Sequence, residues 1–206
     1  GISFQECLKK PYFYVAVVCI FMFGLVIQGT NGVYAAHMRD VGLDHEYVAT
    51  VMSVHALVLT LFKVLAGVSY DKFGLRITYI ICNVAGVAMM LLLASITDTP
   101  QGMILAMCQG VVSSLALPID TVLLPLLTAE LFGEKSFAQI LGIMTCFTSL
   151  GYAVGAPMSN AFYDAHGTYF YGLLLCAAIM LTVSVTIQFV ITAAHRQKAR
   201  LAALEQ

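Results

Sequence analysis

Gly67-Val68-Ser69-Tyr70-Asp71-Lys72-Phe73-Gly74-Leu75-Arg76 ends in a short charged turn between two long apolar runs, 47–70 before it and 77–96 after it. Each run is close to the roughly 20 apolar residues that an α-helix needs to cross a bilayer. A connection this short joins antiparallel neighbours. The stretch is therefore expected to reverse one membrane-spanning helix into the next at the membrane surface, with Gly74 permitting the tight turn.

Four more apolar runs lie outward of this hairpin. The expected spans are 12–36, 47–70, 77–96, 103–129, 137–162 and 169–194, joined by loops at 38–46, 71–76, 97–102, 130–136 and 163–168. Composition agrees, since 60% of the 206 residues are hydrophobic and only 10% charged. A soluble domain carries about 25% charged residues. The fold class expected is all-α, a polytopic membrane protein with a six-helix transmembrane bundle. A net charge of −1 offers no field for a polyanion, so no nucleic-acid partner is expected; the lipid bilayer is.

The six cysteines are scattered, with no Cys-x-x-Cys pair and no Cys/His cluster. Neither a zinc site nor a disulfide framework is implied, and no metal or cofactor is expected. No Gly-x-Ser-x-Gly or His-Glu-x-x-His occurs, so an intramembrane serine or metalloprotease is not supported and no enzymatic activity is expected.

The cations set the orientation. Lys9, Lys10, Lys72, Arg76, Lys135, Arg196, Lys198 and Arg200 fall on one side, Arg39 alone on the other, and Lys63 inside a span. Both ends of the segment are thus expected in the cytoplasm of a cell membrane. Residues 1–11 form the end of a cytoplasmic loop, 12–194 the bundle, and 195–206 a basic helical tail that anchors topology.

The loop after the second span carries Tyr70-Asp71-Lys72-Phe73-Gly74, and that after the fifth carries Tyr163-Asp164-Ala165-His166-Gly167. Both are Tyr-Asp-x-x-Gly after the middle helix of a three-helix group, on opposite sides of the membrane. This is the pattern of two inverted three-helix repeats, a signature of secondary transporters.

The stretch Gly67 to Arg76 resembles the Gly-x-x-x-Asp-Arg/Lys-x-Gly-x-Arg motif of the major facilitator superfamily, found between the second and third helices of each six-helix half. In that motif, of which Lys72 is the basic member, Gly67 would let helices approach, Asp71 would cap the next helix or pair with a cation, and Arg76 would bridge to a neighbouring bundle. Glu6-Cys-Leu-Lys-Lys-Pro11-Tyr-Phe is similar to the lead-in before the family's seventh helix. Glu130-Leu-Phe-Gly133 is similar to the turn after its tenth. Gly151-Tyr-Ala-Val-Gly155-Ala-Pro157 and Phe162-Tyr-Asp164-Ala-His-Gly167-Thr-Tyr169 look like the eleventh helix and its exit in the monocarboxylate-porter and oxalate–formate-antiporter branches. The resemblance implies half of a twelve-helix transporter, with the N-terminal six-helix half of the same polypeptide as partner and a small, anionic solute as ligand.

Lys63 lies about sixteen residues, roughly 24 Å, into a span. A lysine there costs roughly 2.5–3.5 kcal/mol on an insertion scale, so it should face the bundle interior or water. In the resembling branches an arginine four residues before the motif glycine engages a substrate carboxylate; here the position is Lys63. A snorkelling lysine is the plainer alternative. Asp120, at similar depth in the fourth span, is the natural counterpart, either as an ion pair with Lys63 or as a proton-coupling carboxylate. Pro118 and Pro125 flank it and free backbone carbonyls, which suits either a gating bend or a static kink.

Helical spacing places Gln109, Ser113, Ala116 and Asp120 on one face, and Thr145, Ser149, Tyr152, Ala156 and Ser159 on another. In the first span Gln28 has Asn31 at its flank. Helices around a hydrated cavity carry such stripes, so Gln28, Asn31, Gln109, Thr145, Ser149 and Tyr152 are candidate solute contacts beside Lys63. Gly151-x-x-x-Gly155 is a close-packing pair, and His55 a structural hydrogen-bonding residue. The function expected is secondary transport of a small organic anion such as a monocarboxylate, with proton or counter-anion coupling. Transport of an unrelated solute or drug, or a non-transporting receptor or assembly subunit on the same fold, are the alternatives.

Overall fold

The computed structural model describes residues 1–204; Glu205 and Gln206, the end of the basic tail, lie outside the described residues. A short helix α1 (Phe4–Cys7) precedes α2 (Pro11–Asn31) and α3 (Tyr34–Asp40). The helical stretch His45–Ala94 is 50 residues long, about 75 Å if straight. That is more than twice the hydrocarbon thickness of a bilayer. It is parted at Gly74, with φ 80° and ψ 172°, into α4 (45–73) and α5 (75–94). The hydroxyls of Ser69 and Thr78 meet at 3.0 Å across this point. Nine residues along a straight helix would separate them by about 13 Å, so the chain has folded back. The charged stretch is a helical hairpin.

After α5 come α6 (Pro100–Ala116), a π-helical turn (Ile119–Leu123) and α7 (Leu124–Phe132), which together make one crossing. Then follow α8 (Phe137–His166) and α9 (Phe170–Leu204). Among the described residues every element is helical, as a bilayer requires where backbone groups must find partners inside their own segment. The fold is an all-α membrane bundle.

The observed bounds differ from the apolar runs for local reasons. The first run, set at 12–36, reaches Asp40 but breaks between Asn31 and Tyr34. Gly32 closes α2 by donating to the Gln28 carbonyl at 2.8 Å, and the backbone there passes so near Ala156 that a Cβ would collide with it. The fourth, set at 103–129, starts at Pro100 because the Thr99 hydroxyl caps it, accepting the Gly102 N–H at 3.0 Å. It is then interrupted after Ala116 because Pro118 lacks an N–H. The fifth runs on to His166, where Gly167 takes a left-handed conformation, φ 70°, and donates to the Tyr163 carbonyl at 2.7 Å. The sixth continues through the tail to Leu204: His195 Nε2 meets Glu130 Oε1 at 2.7 Å, and Lys198 donates to the Glu130 carbonyl.

Four helix pairs carry most of the packing: α2 with α8, α4 with α6, and α9 with both α2 and α5. At the first pair, Gly151 and Gly155 lie against Phe21, Gly24, Leu25 and Gly29, and a Cβ on either would strike α2 backbone. Backbone-to-backbone approach of this kind is what small residues permit between membrane helices. Gly67 behaves otherwise: a Cβ there would meet no other part of the chain. The close approach implied for it is not made within this bundle.

The lead-in folds onto the basic end of the bundle. Ile2 N–H donates to the Phe132 carbonyl at 3.1 Å, and the Phe132 ring stacks on Tyr12 and meets Phe13 edge-on. Ser3 and Glu6 form a reciprocal capping box on α1. The Ser3 N–H and hydroxyl hold the Glu6 carboxyl below its ordinary value. Cys7 is fully buried there, and burial pushes its thiol up to about 11.

Candidate functional site

Lys63 sits eleven residues before the Gly74 turn, and Asp120 thirteen before the Gly133 turn. At 1.5 Å per residue both are therefore at comparable depth, about 16–20 Å from the basic end. Lys63 is half-buried on the flank of α4, between its core-facing residues and an open stripe of Leu57, Leu61, Val64 and Val68. Asp120 is half-buried in the π-helical turn, and its Oδ1 is enclosed without a hydrogen-bond partner. Among the described residues the only ion pair within 4 Å is His195 with Glu130. Lys63 and Asp120 are therefore not in contact, although their charges are within electrostatic range of one another.

The irregular backbone under Asp120 has a covalent origin. Pro118 and Pro125 each lack a donor, and between them the chain runs as a π-helix over Ile119–Leu123. Widened turns of this kind recur at functional sites because they re-aim a side chain without ending the helix.

A third polar group converges on the same region. Tyr79, on α5, is completely buried, its hydroxyl has no hydrogen-bond partner, and it lies within electrostatic range of Asp120. An enclosed polar atom with no partner costs about 1–3 kcal/mol. Two such atoms, one of them within electrostatic range of a lysine, make a region that a proton, water or carboxylate would stabilise. Tyr79 was not among the sequence candidates, because a tyrosine in an apolar run is indistinguishable from core until the fold places it.

The remaining candidates divide. Thr145 and Ser149 are exposed on α8, and Tyr152 is half-buried one turn further. The Ser149 hydroxyl bonds its own helix, donating to the Thr145 carbonyl at 3.0 Å. Gln28 and Asn31 are half-buried near the far end of α2, and Asn31 Oδ1 is enclosed without a partner. Gln109 shares a face with Ser113 and Ala116 as expected, but that face is closed. Gln109 is fully buried, as are Ser113 and Ala116, on the side of α6 that packs against α4. The stripe faces the bundle's own interior because Gly110 lets Val51 and His55 of α4 press close. Both amide atoms of Gln109 lack partners.

His55 occupies that inner face. Its Nδ1 lies 2.9 Å from the Gly110 carbonyl oxygen and 2.8 and 3.1 Å from the hydroxyls of Ser113 and Ser114. It ties α4 to α6 and lies about two turns from Lys63, about 80° around the helix. In the charged turn, Asp71 and Lys72 are exposed, and Lys72 Nζ stands 5.4 Å above the Phe73 ring. Arg76 reaches sideways: its Nε donates to Gln188 Oε1, and Gln188 Nε2 donates back to the Arg76 carbonyl, both at 3.3 Å.

Known proteins bear on this arrangement. Monocarboxylate transporter 13 of Bos taurus is 29% identical over 153 residues, which is 72% of this chain, and the chain spans 34% of that protein's length. The sequence pattern that defines the Major Facilitator Superfamily matches residues 16–206, from the first spanning helix to the tail. With a helical membrane bundle whose charged turn reverses at Gly74, the chain belongs to the Major Facilitator Superfamily.

Proposed function

We propose that this chain is the C-terminal half of a secondary transporter that moves a small organic anion, foremost a monocarboxylate, by alternating access. The observation that carries this reading is that Lys63 and Asp120 lie at one depth and within electrostatic range, with the Asp120 Oδ1 and the nearby Tyr79 hydroxyl enclosed and unpartnered and, among the described residues, no carboxylate within 4 Å of the lysine. Lys63 holds the solute carboxylate as a point charge rather than as a planar fork. Asp120 carries the coupling proton, or pairs with Lys63 when the solute has left. Family membership supports the transporter reading, and the name of the bovine relative supports a monocarboxylate as the solute.

The N-terminal six-helix half of the same polypeptide forms the other wall of the cavity, and the two bundles rock about the midplane. Gln28, Asn31, Thr145, Ser149 and Tyr152 line the path on this side, and Gln109 contributes only if α4 and α6 part. Gly67, Asp71, Lys72, Gly74 and Arg76 form the gating turn, the glycine pair Gly151 and Gly155 is the rigid seam, and Pro118 and Pro125 permit bending. The eight cations of the basic end put both termini of this segment in the cytoplasm.

The test is uptake of radiolabelled mono- and dicarboxylates into liposomes holding the full-length protein, across a pH gradient. Saturable monocarboxylate uptake that follows the gradient supports the reading. Uptake of an uncharged solute only, or none in correctly inserted protein, removes it.

A further inference from the structure

A groove of about 1020 Å³ runs between α5 and α9 along the outside of the bundle. From Arg76 to Leu91 it follows α5 for about 22 Å, more than the roughly 15 Å depth of one bilayer leaflet. Its walls are apolar side chains such as Val84, Val185 and Phe189, which are exposed. Two arginines, Arg76 and Arg196, stand at its basic end. A second cavity of about 670 Å³ adjoins it, sharing Ala193 and Arg196 and adding Lys9, Lys10 and Arg200. Among the described residues lining the two, there is no aspartate or glutamate.

The wall also contains an unexplained polar group. Asn83 lines the groove, is only 3% exposed, and neither its Oδ1 nor its Nδ2 has a hydrogen-bond partner. The reciprocal bonds between Arg76 and Gln188 hold the guanidinium through Nε alone, so its terminal amino groups have no partner among the described residues. Guanidinium forks left free in this way suit the oxygens of a phosphate.

We propose that this groove is a binding site for one anionic phospholipid. The acyl chains lie along α5 and α9, the phosphate sits between Arg76 and Arg196, and Asn83 takes the glycerol-ester oxygens. Charge complementarity selects this occupant. A long apolar trough closed at one end by cations, with no acid to neutralise them, matches an amphiphile with a negative head. A second copy of the chain would bring its own basic end against the same cations. Basic pockets between membrane helices on the cytoplasmic side are known lipid-headgroup sites. The leaflet assignment rests on the proposed orientation; the site itself does not depend on what the protein transports.

The test is lipid retention by the full-length protein, purified, delipidated and titrated with phosphatidylglycerol or phosphatidylcholine under native mass spectrometry. Phosphatidylglycerol should be held in preference. Each surface cation contributes about a fivefold effect, so Arg196→Gln should weaken phosphatidylglycerol about fivefold and the Arg76→Gln/Arg196→Gln pair about thirtyfold. Arg196 is exposed and makes no hydrogen bond among the described residues, so its single variant should fold even if loss of Arg76 disturbs α9. Arg39→Gln, at the opposite end, should change nothing. Equal retention of the two lipids, or an Arg196→Gln variant that binds as before, overturns the proposal. So does glycerol phosphate binding as tightly as phosphatidylglycerol, or a photocrosslinker at Phe189 that joins two protein copies instead of labelling lipid.

Discussion

Ser159 on α8 donates its hydroxyl to the backbone carbonyl of Gly29 on α2 over 2.6 Å. One turn earlier, the missing side chain of Gly155 lets the same two backbones touch at Leu25 and Gly29. The seam between the first and fifth crossings is thus backbone against backbone, stapled by one hydroxyl.

Gly155→Ala should lower the unfolding temperature in detergent, because its Cβ meets backbone that cannot yield. Overpacking of this kind costs about 1–3 kcal/mol. Ser159→Ala should cost less, about 1 kcal/mol for one hydrogen bond. Equal losses in the two variants would argue against a seam set by close approach.

Lys63→Ala should abolish anion uptake while the protein remains inserted and folded. A charge-assisted hydrogen bond is worth about 1.5–3 kcal/mol, so solute affinity should fall roughly 10- to 150-fold. Lys63→Arg should recover part of it. Binding measured by isothermal calorimetry distinguishes this from slower turnover, and undiminished uptake in the alanine variant would leave the anion assignment without support.

Asp120→Asn should separate solute exchange from proton-driven accumulation, since the amide cannot exchange a proton. Counterflow in liposomes should persist while the response to a pH gradient is lost. An unchanged gradient response would remove Asp120 from the coupling step. Tyr79→Phe should shift the pH dependence of transport without abolishing it.

The Ser3–Glu6 capping box should make docking of α1 depend on pH. Because the Glu6 carboxyl is held below its ordinary 4.5 by Ser3, its contribution is fully present above that value and is lost as pH falls through the lower, folded value. Amide exchange of Phe4 to Leu8, corrected for intrinsic rates, should show protection falling on acidification below about 4.5. Glu6→Gln should flatten that dependence and speed alkylation of the buried Cys7 at neutral pH.

Much of this protein was legible in its residues alone. Apolar runs long enough to cross a bilayer, parted by charged turns, determine a helical membrane bundle, since no other open structure satisfies its backbone in lipid. Gly74 and Gly167 could be placed at turns because they follow the same Tyr-Asp-x-x-Gly pattern, and both have positive φ. Lys63 stood out because a charge inside a span needs a reason. What the residues left open was which face of each helix turns inward. Helical spacing groups Gln109 with Asp120, but it does not say that Gly110 draws that face against α4. Tyr79 was hidden in an apolar run, and Asn83 and Gln188, visible as isolated polar residues in the third and sixth runs, carried no sign of what they would meet. Only packing decided that Tyr79 comes within electrostatic range of Asp120, that Gln188 meets Arg76, and that Asn83 lines a groove with nothing to bond. The physical reason is range: hydropathy and turn chemistry act within one segment, whereas the partner of a buried polar atom is chosen by helices far apart in sequence.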